Sequence, residues 1–374
     1  MPPTVPSTVT LRSAPPARLG LDRRGFLQGV LGTAVLLGVG ACAKGEASGS
    51  ATSTPDAPLP TSVPPGTELT VASPQSLHQL ALELSGLLDD LPFTVPEWPN
   101  VAAGPDVINA FRANSLDLGR NAGIPPIQAH YQGFDARIVA VGYHRTPIYV
   151  FATRPGSDIE AVADFEGRKL AFSQGQAQGV VLLRALDEAG ISQDDVELVP
   201  LTSNQFLTAL QAGQVDIAPL HHGQVPQYLD QYAADGARTV DTDVVDLLDV
   251  LWAPSSVLAD EAKTAAIASF VPLWAQATTW VYENPQAWID EFYVGTQNLP
   301  ADEAARVVEL GGKPEFPPTW DDAIAWEQET IDLLADGGFV DAFDAEVLFD
   351  RRFESLAADA VADAYTNTDQ PYQE

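Results

Sequence analysis

Cysteine occurs once in the 374 residues, at position 42, so the chain can form no internal disulfide and no thiol-rich metal site. Cations are scarce as well: Lys and Arg number 19 against 51 acidic residues, a formal net charge of −32. That field repels a phosphate backbone and excludes nucleic-acid binding. It suits solubility at an exposed location, and an anionic ligand would have to be drawn in by local groups. Motifs of hydrolytic, phosphate-loop and zinc-protease chemistry are missing too. No catalytic residue, metal site or cofactor is therefore expected.

A membrane span needs about 20 mostly apolar residues. The apolar run from Phe26 to Ala41 covers sixteen and contains four glycines, which fits a cleaved or lipidated signal better than a permanent span. Arg12, Arg18, Arg23 and Arg24 precede it. Asp22-Arg23-Arg24-Gly25-Phe26-Leu27 resembles a twin-arginine export signal, and Val39-Gly40-Ala41-Cys42 resembles a lipobox. That resemblance implies lipidation of Cys42, cleavage before it, and a protein exported and lipid-anchored to the outer face of the cell membrane. Cleavage removes four Arg and one Asp, a net +3, leaving −35. Ser48 to Pro65 follows, rich in Ser, Thr, Pro, Gly and Ala, with too little apolar surface to fold; it reads as a flexible tether.

From Glu68 strand-like and helix-like segments alternate, the pattern of an α/β protein. Leu69 to Ala72, Leu116 to Gly119, Arg137 to Val141 and Pro147 to Thr153 read as strands, with helices over His78 to Leu88 and Asp106 to Ala113 and a turn at Arg120 to Pro126. A second unit alternates the strand Lys169 to Phe172, the helix Gln176 to Ala189, the strand Val196 to Val199, the helix Asn204 to Ala212 and the strand Val215 to Ala218. Beyond Trp252 the chain reads as helical: Glu261 to Glu283, Gln286 to Tyr293, Ala301 to Leu310 and about Thr319 to Ala335. Two units closed by a returning tail imply two lobes and a cleft. Open α/β sheets bind ligands beyond the carboxyl ends of their strands, which singles out the loops after Ala72, Leu118, Phe172 and Ala218.

Three ordered stretches carry a family resemblance. They are Gly104-Pro105-Asp106 to Phe111 with Ser115 to Gly119 and Gly123 to Pro126; Asp164 to Ala171 with Gly175 to Leu186; and Ala209 to Asp216. Together they resemble the solute-binding proteins of ABC importers for aliphatic sulfonates, taurine and nitrate. The resemblance implies a periplasmic-binding-protein type II fold: a signal peptide over 1–41, a tether over 42–66, lobe 1 from 67–152 plus 246–365, and lobe 2 from 153–245. It also implies a monomer that closes by hinge motion over a small molecule and docks on ABC permease and ATPase subunits, with no chemical step.

Within the loops, Ser173-Gln174-Gly175-Gln176 opens a helix whose free N–H groups and dipole can hold an anion, or else Ser173 or Gln174 simply caps it. Sulfonate binders tend to have serines after the matched glycine, where this chain has Gln176 and Ala177. Arg120 reads either as a bidentate partner of a ligand oxyanion or as a rim arginine paired with one of the many acids. Asn121, two residues before Gly123, offers both donor and acceptor. Ser73 and Gln75 read as ligand contacts or as the start of a helix at Pro74. His221 and His222 read as ligand contacts, lobe surface or, with less support, a metal pair. Trp98 and Trp252 read as core or cleft wall. The leading reading is a binding protein for a small organic anion. The alternatives are a binder of a thiamine precursor or other heterocycle, and a surface adhesion or sensory module. Some relatives on this fold that make the thiamine pyrimidine carry a cysteine-rich motif, which this chain lacks.

Overall fold

The computed structural model describes residues 57–366; Cys42, the twin arginines and most of the tether lie outside them. Within them the chain forms a three-stranded and a five-stranded sheet, with helices on their faces. This is the mixed α/β architecture expected for a periplasmic binding protein. No described helix is long and apolar enough to cross a membrane.

The first sheet has the order β1-β8-β2, formed by Gly119–Asn121, Leu248–Pro254 and Ala136–Tyr143, all antiparallel. Its central strand β8 is buried along its whole length. The second sheet has the order β5-β4-β6-β3-β7: Glu197–Pro200, Lys169–Phe172, Ile217–His221, Tyr149–Thr153 and Thr239–Val240. Here β4 runs parallel to β5 and β6, while β3 is antiparallel to β6 and β7. The chain thus leaves the first sheet after β2 and returns to it through the segment before β8.

Helices α1 (Leu77–Ser85), α2 (Gly104–Arg112) and α3 (Ile124–Tyr131) accompany the first sheet. The second carries α4 (Ala177–Glu188), α5 (Ser203–Gln211) and α6 (Val225–Tyr232). The C-terminal part adds α7 (Ser255–Leu258), α8 (Glu261–Glu283), α9 (Pro285–Trp288), α10 (Ala301–Leu310) and α11 (Asp321–Asp336). Local chemistry sets several of these ends. Asp260 caps α8 by accepting from the Ala262 and Lys263 N–H groups, and Asn284-Pro285 ends it where proline cannot supply the next donor. After α9 the chain widens into a π-helical stretch, Ile289–Thr296.

Three expectations are corrected. Arg120 to Pro126 is not a turn: Gly119–Asn121 pairs with β8, and α3 follows at once with prolines in its first turn, where their missing N–H costs nothing. Leu69 to Ala72 makes only an isolated bridge, Val71 to Leu118, and not a strand. Strand β8 falls where no strand is predicted, because Asp249 interrupts its apolar run; a partner for that carboxylate exists only in the tertiary structure. A main core runs through both sheets, and a smaller one packs Phe206, Leu210 and Tyr228 against the second sheet.

Candidate ligand-binding cleft

A cavity of about 450 Å³ opens between the two sheets. The carboxyl end of β4 feeds the loop Ser173 to Gln176 and then α4, so the start of α4 faces this space, as do Gly104 at the start of α2 and Ser203 at the start of α5. Three helix N-termini of eight or more residues therefore border one cavity, and each brings partial positive charge. Among the described residues, the N–H groups of Gly175, Ala177 and Gln178 have no acceptor, whereas Gly179 N–H is taken by the Gln176 carbonyl at 2.9 Å. The side chain of Gln176 fixes the loop. Its Oε1 accepts from the Ser173 hydroxyl (2.7 Å) and the Ser203 N–H (2.9 Å), and its Nε2 donates to Ser203 Oγ (2.9 Å).

Two glycines hold this geometry. A Cβ on Gly179 would lie 2.0 Å from the Ser173 carbonyl oxygen, and one on Gly104 would lie 2.5 Å from Pro125 Cγ and 3.3 Å from the Gly175 carbonyl across the cavity. Gln128 on α3 donates to the Gln174 carbonyl at 3.2 Å, and Gln174 donates in turn to the Phe339 carbonyl at 2.7 Å. These bonds link α3, the loop before α4 and the segment after α11.

The opposite wall is charged. Arg120 on β1 donates through Nε and Nη2 to the two carboxylate oxygens of Asp249 on β8, at 2.7 and 2.6 Å. His144 Nε2 lies 3.4 Å from the same carboxylate. Burial works to raise Asp249, but Arg120, with His144, holds its carboxyl well below the usual carboxylate range. Arg120 and His144, which both line the cavity, are thus turned to one acid. Asp246, on the segment leading to β8, also lines the cavity and makes no hydrogen bond to a described residue. Burial pushes its carboxyl up to about 7, with Asp249 adding to the rise and His144 and Arg184 opposing it. Behind it, on α11, Glu327 is 1 % exposed with Oε1 unpartnered, and burial followed by the nearness of Asp246 pushes it up to about 8.

The residues singled out from sequence fall into two sets. Arg120, Asn121, Gly175 and Gln176 line the cavity. Asn121 is committed to the protein, its Nδ2 donating to the Ala102 carbonyl (2.8 Å) and its Oδ1 accepting from Trp252 Nε1 (2.9 Å). Trp252 itself is fully buried. The others lie outside the lining. Ser73 is buried, its hydroxyl accepting from the His78 and Gln79 N–H groups at the start of α1. Gln75 adopts φ +50 with its N–H on Asn100 Oδ1, and the neighbouring Pro74 and Leu77 face the cavity instead. Gly123 faces Glu327, whose Oε1 a Cβ would approach to 2.1 Å. Ser173 and Gln174 hold the loop from behind. His221 accepts from Gly223 N–H through Nδ1 (3.1 Å), and burial, then His222, lowers its pKa. His222 Nε2 lies 3.0 Å from the Pro147 carbonyl and faces a different, smaller cavity beside α10.

Sequence reasoning passed over Gly104, Ser203, Asp246 and Asp249. One signal was available: a charge inside the apolar run Val244 to Pro254 must find a partner when buried.

Comparison with known proteins accords with this architecture. An Escherichia coli (strain K12) protein named for binding aliphatic sulfonates is 28% identical over 247 residues, 65% of this chain and 75% of that one. The solved periplasmic aliphatic sulphonate binding protein SsuA from Escherichia coli superposes with a TM-score of 0.63 at 25% identity, over 75% of this chain and 91% of that one. The alkanesulfonate-binding protein SsuA from Xanthomonas axonopodis pv. citri, bound to MOPS, gives the same TM-score at 21% identity, over 82% of this chain and 99% of that one, a likeness of fold. Residues 100–288, just over half of the chain, match the NMT1/THI5-like family, and the protein belongs to that family.

Proposed function

We propose that this protein is an extracytoplasmic solute-binding lipoprotein, anchored through Cys42, that delivers a small organic anion of the sulfonate, taurine or nitrate kind to an ABC importer. The observation that carries this reading is the start of α4: three N–H groups without acceptors among the described residues, at the positive end of a 12-residue helix, on residues that line a cavity between two sheets. Backbone donors suit a ligand that must be held by local groups in a strongly acidic protein, and the sulfonate-binding relatives support the ligand class. The lobes expected over 67–152 plus 246–365 and over 153–245 would close on it as a hinge, with β3 moving with the second sheet. The protein binds and releases; no chemical step is assigned.

A second reading has its own support. Arg120 and His144 are both turned to Asp249, and Asp246 makes no hydrogen bond to a described residue. A heterocycle that donates to Asp246, such as a thiamine precursor, would use that carboxyl. Isothermal titration of the purified protein against sulfonates, carboxylates and pyrimidines separates the two. Heat with the anions supports the first; heat with pyrimidines alone replaces it with the second. Mass spectrometry of small molecules released from gently purified protein identifies what is carried.

A further inference from the structure

The three helix starts that border the cleft are not equivalent. Asp106 stands in the first turn of α2, and α8, α10 and α11 also carry acids in theirs, but neither α4 nor α5 does. In a chain with 51 acidic residues, two helix starts thus reach the same cavity with no acid of their own to offset the dipole. The start of α4 has three N–H groups without acceptors among the described residues. At α5 the first helical N–H, that of Ser203, is already taken, donating to Gln176 Oε1 at 2.9 Å.

A backbone N–H can only donate, so the atom that meets it is the amide oxygen, and this settles which way the Gln176 amide faces. The same Oε1 accepts from the Ser173 hydroxyl at 2.7 Å, while Nε2 donates to Ser203 Oγ at 2.9 Å. One neutral oxygen therefore receives a helix-start N–H and a hydroxyl, two donors of the kind that hold oxyanions. Gln176 and Ser203 both line the cavity, so these donors are withheld at the edge of the space a ligand uses. The opposite wall does not make up the difference, because Arg120 and His144 are turned to Asp249 and an ionised Asp246 adds negative charge. The cost of drying an ion rises with the square of its charge, so a doubly charged oxyanion needs many more donors than a singly charged one of the same shape.

We propose that Gln176 sets the charge of the anion the cleft accepts: its amide oxygen occupies the start of α5 in place of a ligand oxygen, so the ligand meets the donors of α4 without those of α5, and a singly charged oxyanion is preferred to a doubly charged one. The proposal rests on the anion-binding reading above. Gln176 acts on selectivity through the donors it withholds.

The test is isothermal titration of the full chain and of Gln176→Ala at pH 8.5 with ethanesulfonate and with ethylphosphonate, which has nearly the same shape and is doubly charged at that pH. The native protein should prefer ethanesulfonate by about tenfold or more, the effect of one hydrogen bond to a charged group. Gln176→Ala frees the Ser203 N–H and the Ser173 hydroxyl, so the preference should shrink by about tenfold or more, or reverse. Equal native affinity for the two probes, or a preference that Gln176→Ala leaves within about twofold, overturns the role of Gln176 and leaves the cleft reading standing. If neither probe binds the native protein, the cleft reading has failed and the proposal falls with it.

A second variant decides the matter if Gln176→Ala does not fold, as judged by circular dichroism. Gln176→Glu keeps the size of the side chain and puts a carboxylate oxygen where the amide oxygen stands. Its Tm should lie at or above the native value, because the same donors now meet a charged acceptor. Ethanesulfonate affinity should fall about tenfold or more, or vanish, through repulsion by that charge. A Tm several degrees below native, or an ethanesulfonate affinity unchanged in this variant, overturns the proposal.

Discussion

The two walls of the cleft handle charge in opposite ways. On the second-sheet side the polar groups are backbone: Gly175, Ala177 and Gln178 line the cavity with N–H groups that have no acceptor among the described residues, and the side chains nearby, Gln176 and Ser203, are occupied in holding the loop. On the first-sheet side the polar groups are side chains, and Arg120 and His144 are both engaged with Asp249. On the first-sheet wall the Arg120–Asp249 pair is closed and only the Asp246 carboxyl stays uncommitted, whereas the second-sheet wall is open to a ligand through its backbone donors. Charge in a site is therefore a poor guide to what it binds; an unsatisfied donor is a better one.

The largest expected effect breaks the closed wall. Arg120→Ala leaves the Asp249 carboxylate buried without its bidentate partner, and the loss of stability should be about 3–5 kcal/mol, measured by urea unfolding. Arg120→Met combined with Asp249→Leu should recover much of it, because the cost lies in the orphaned charge. If Arg120→Ala instead unfolds like the native protein and only anion binding is lost, Arg120 is a ligand group and the contrast between the walls fails.

Next in size is removal of one donor from the open wall. Ala177→Pro deletes a single N–H at the first position of α4, where proline is tolerated, and Gln176 before it already has the extended backbone that a following proline requires. A hydrogen bond to a charged group contributes about 1.5–3 kcal/mol, so sulfonate affinity should fall roughly 10- to 100-fold with Tm nearly unchanged. An affinity within twofold of the native value would remove α4 from the site.

The smallest effect sharpens the comparison through pH. Asp246 titrates near 7, so raising the pH from 6 to 8.5 puts a negative charge on the cleft wall and should weaken sulfonate binding several-fold. Asp246→Asn should flatten that profile. Stability follows the same sign. Asp246 and Glu327 have folded pKa values raised to about 7 and about 8, so the unfolded chain releases their protons first, and stability falls as pH rises between about 4 and 8. Glu327→Gln should reduce that slope in unfolding measured at pH 5 and pH 8.5.

Much of the fold is legible in the residues. Helix α8 over Glu261–Glu283 and α10 over Ala301–Leu310 run where the pattern puts them, because Asp260 before α8, Asn284-Pro285 after it and Pro300 before α10 act within a turn of the chain. Strand β4 likewise runs from Lys169 to Phe172 as expected. The start of α4 was legible for the same reason, since a strand, a glycine and a helix in succession present N–H groups wherever they occur. Strand β8 and helix α3 were not. The first depends on a carboxylate whose partner lies 129 residues away, and the second on a Pro-Pro pair that reads as a turn until a helix is packed behind it.

Sequence alone therefore determined the α/β alternation, the acidic field and the helix start that offers donors, because each is a property of composition or of a few consecutive residues. Tertiary structure decided which of the candidate side chains remain available. It turned Arg120 to Asp249 and Asn121 to Trp252, set Ser73 at the start of α1 and moved His221 and His222 out of the cavity lining. It also brought Asp246 to the cleft. A side chain's availability depends on which distant group reaches it first, and that information is absent from any local stretch of the chain.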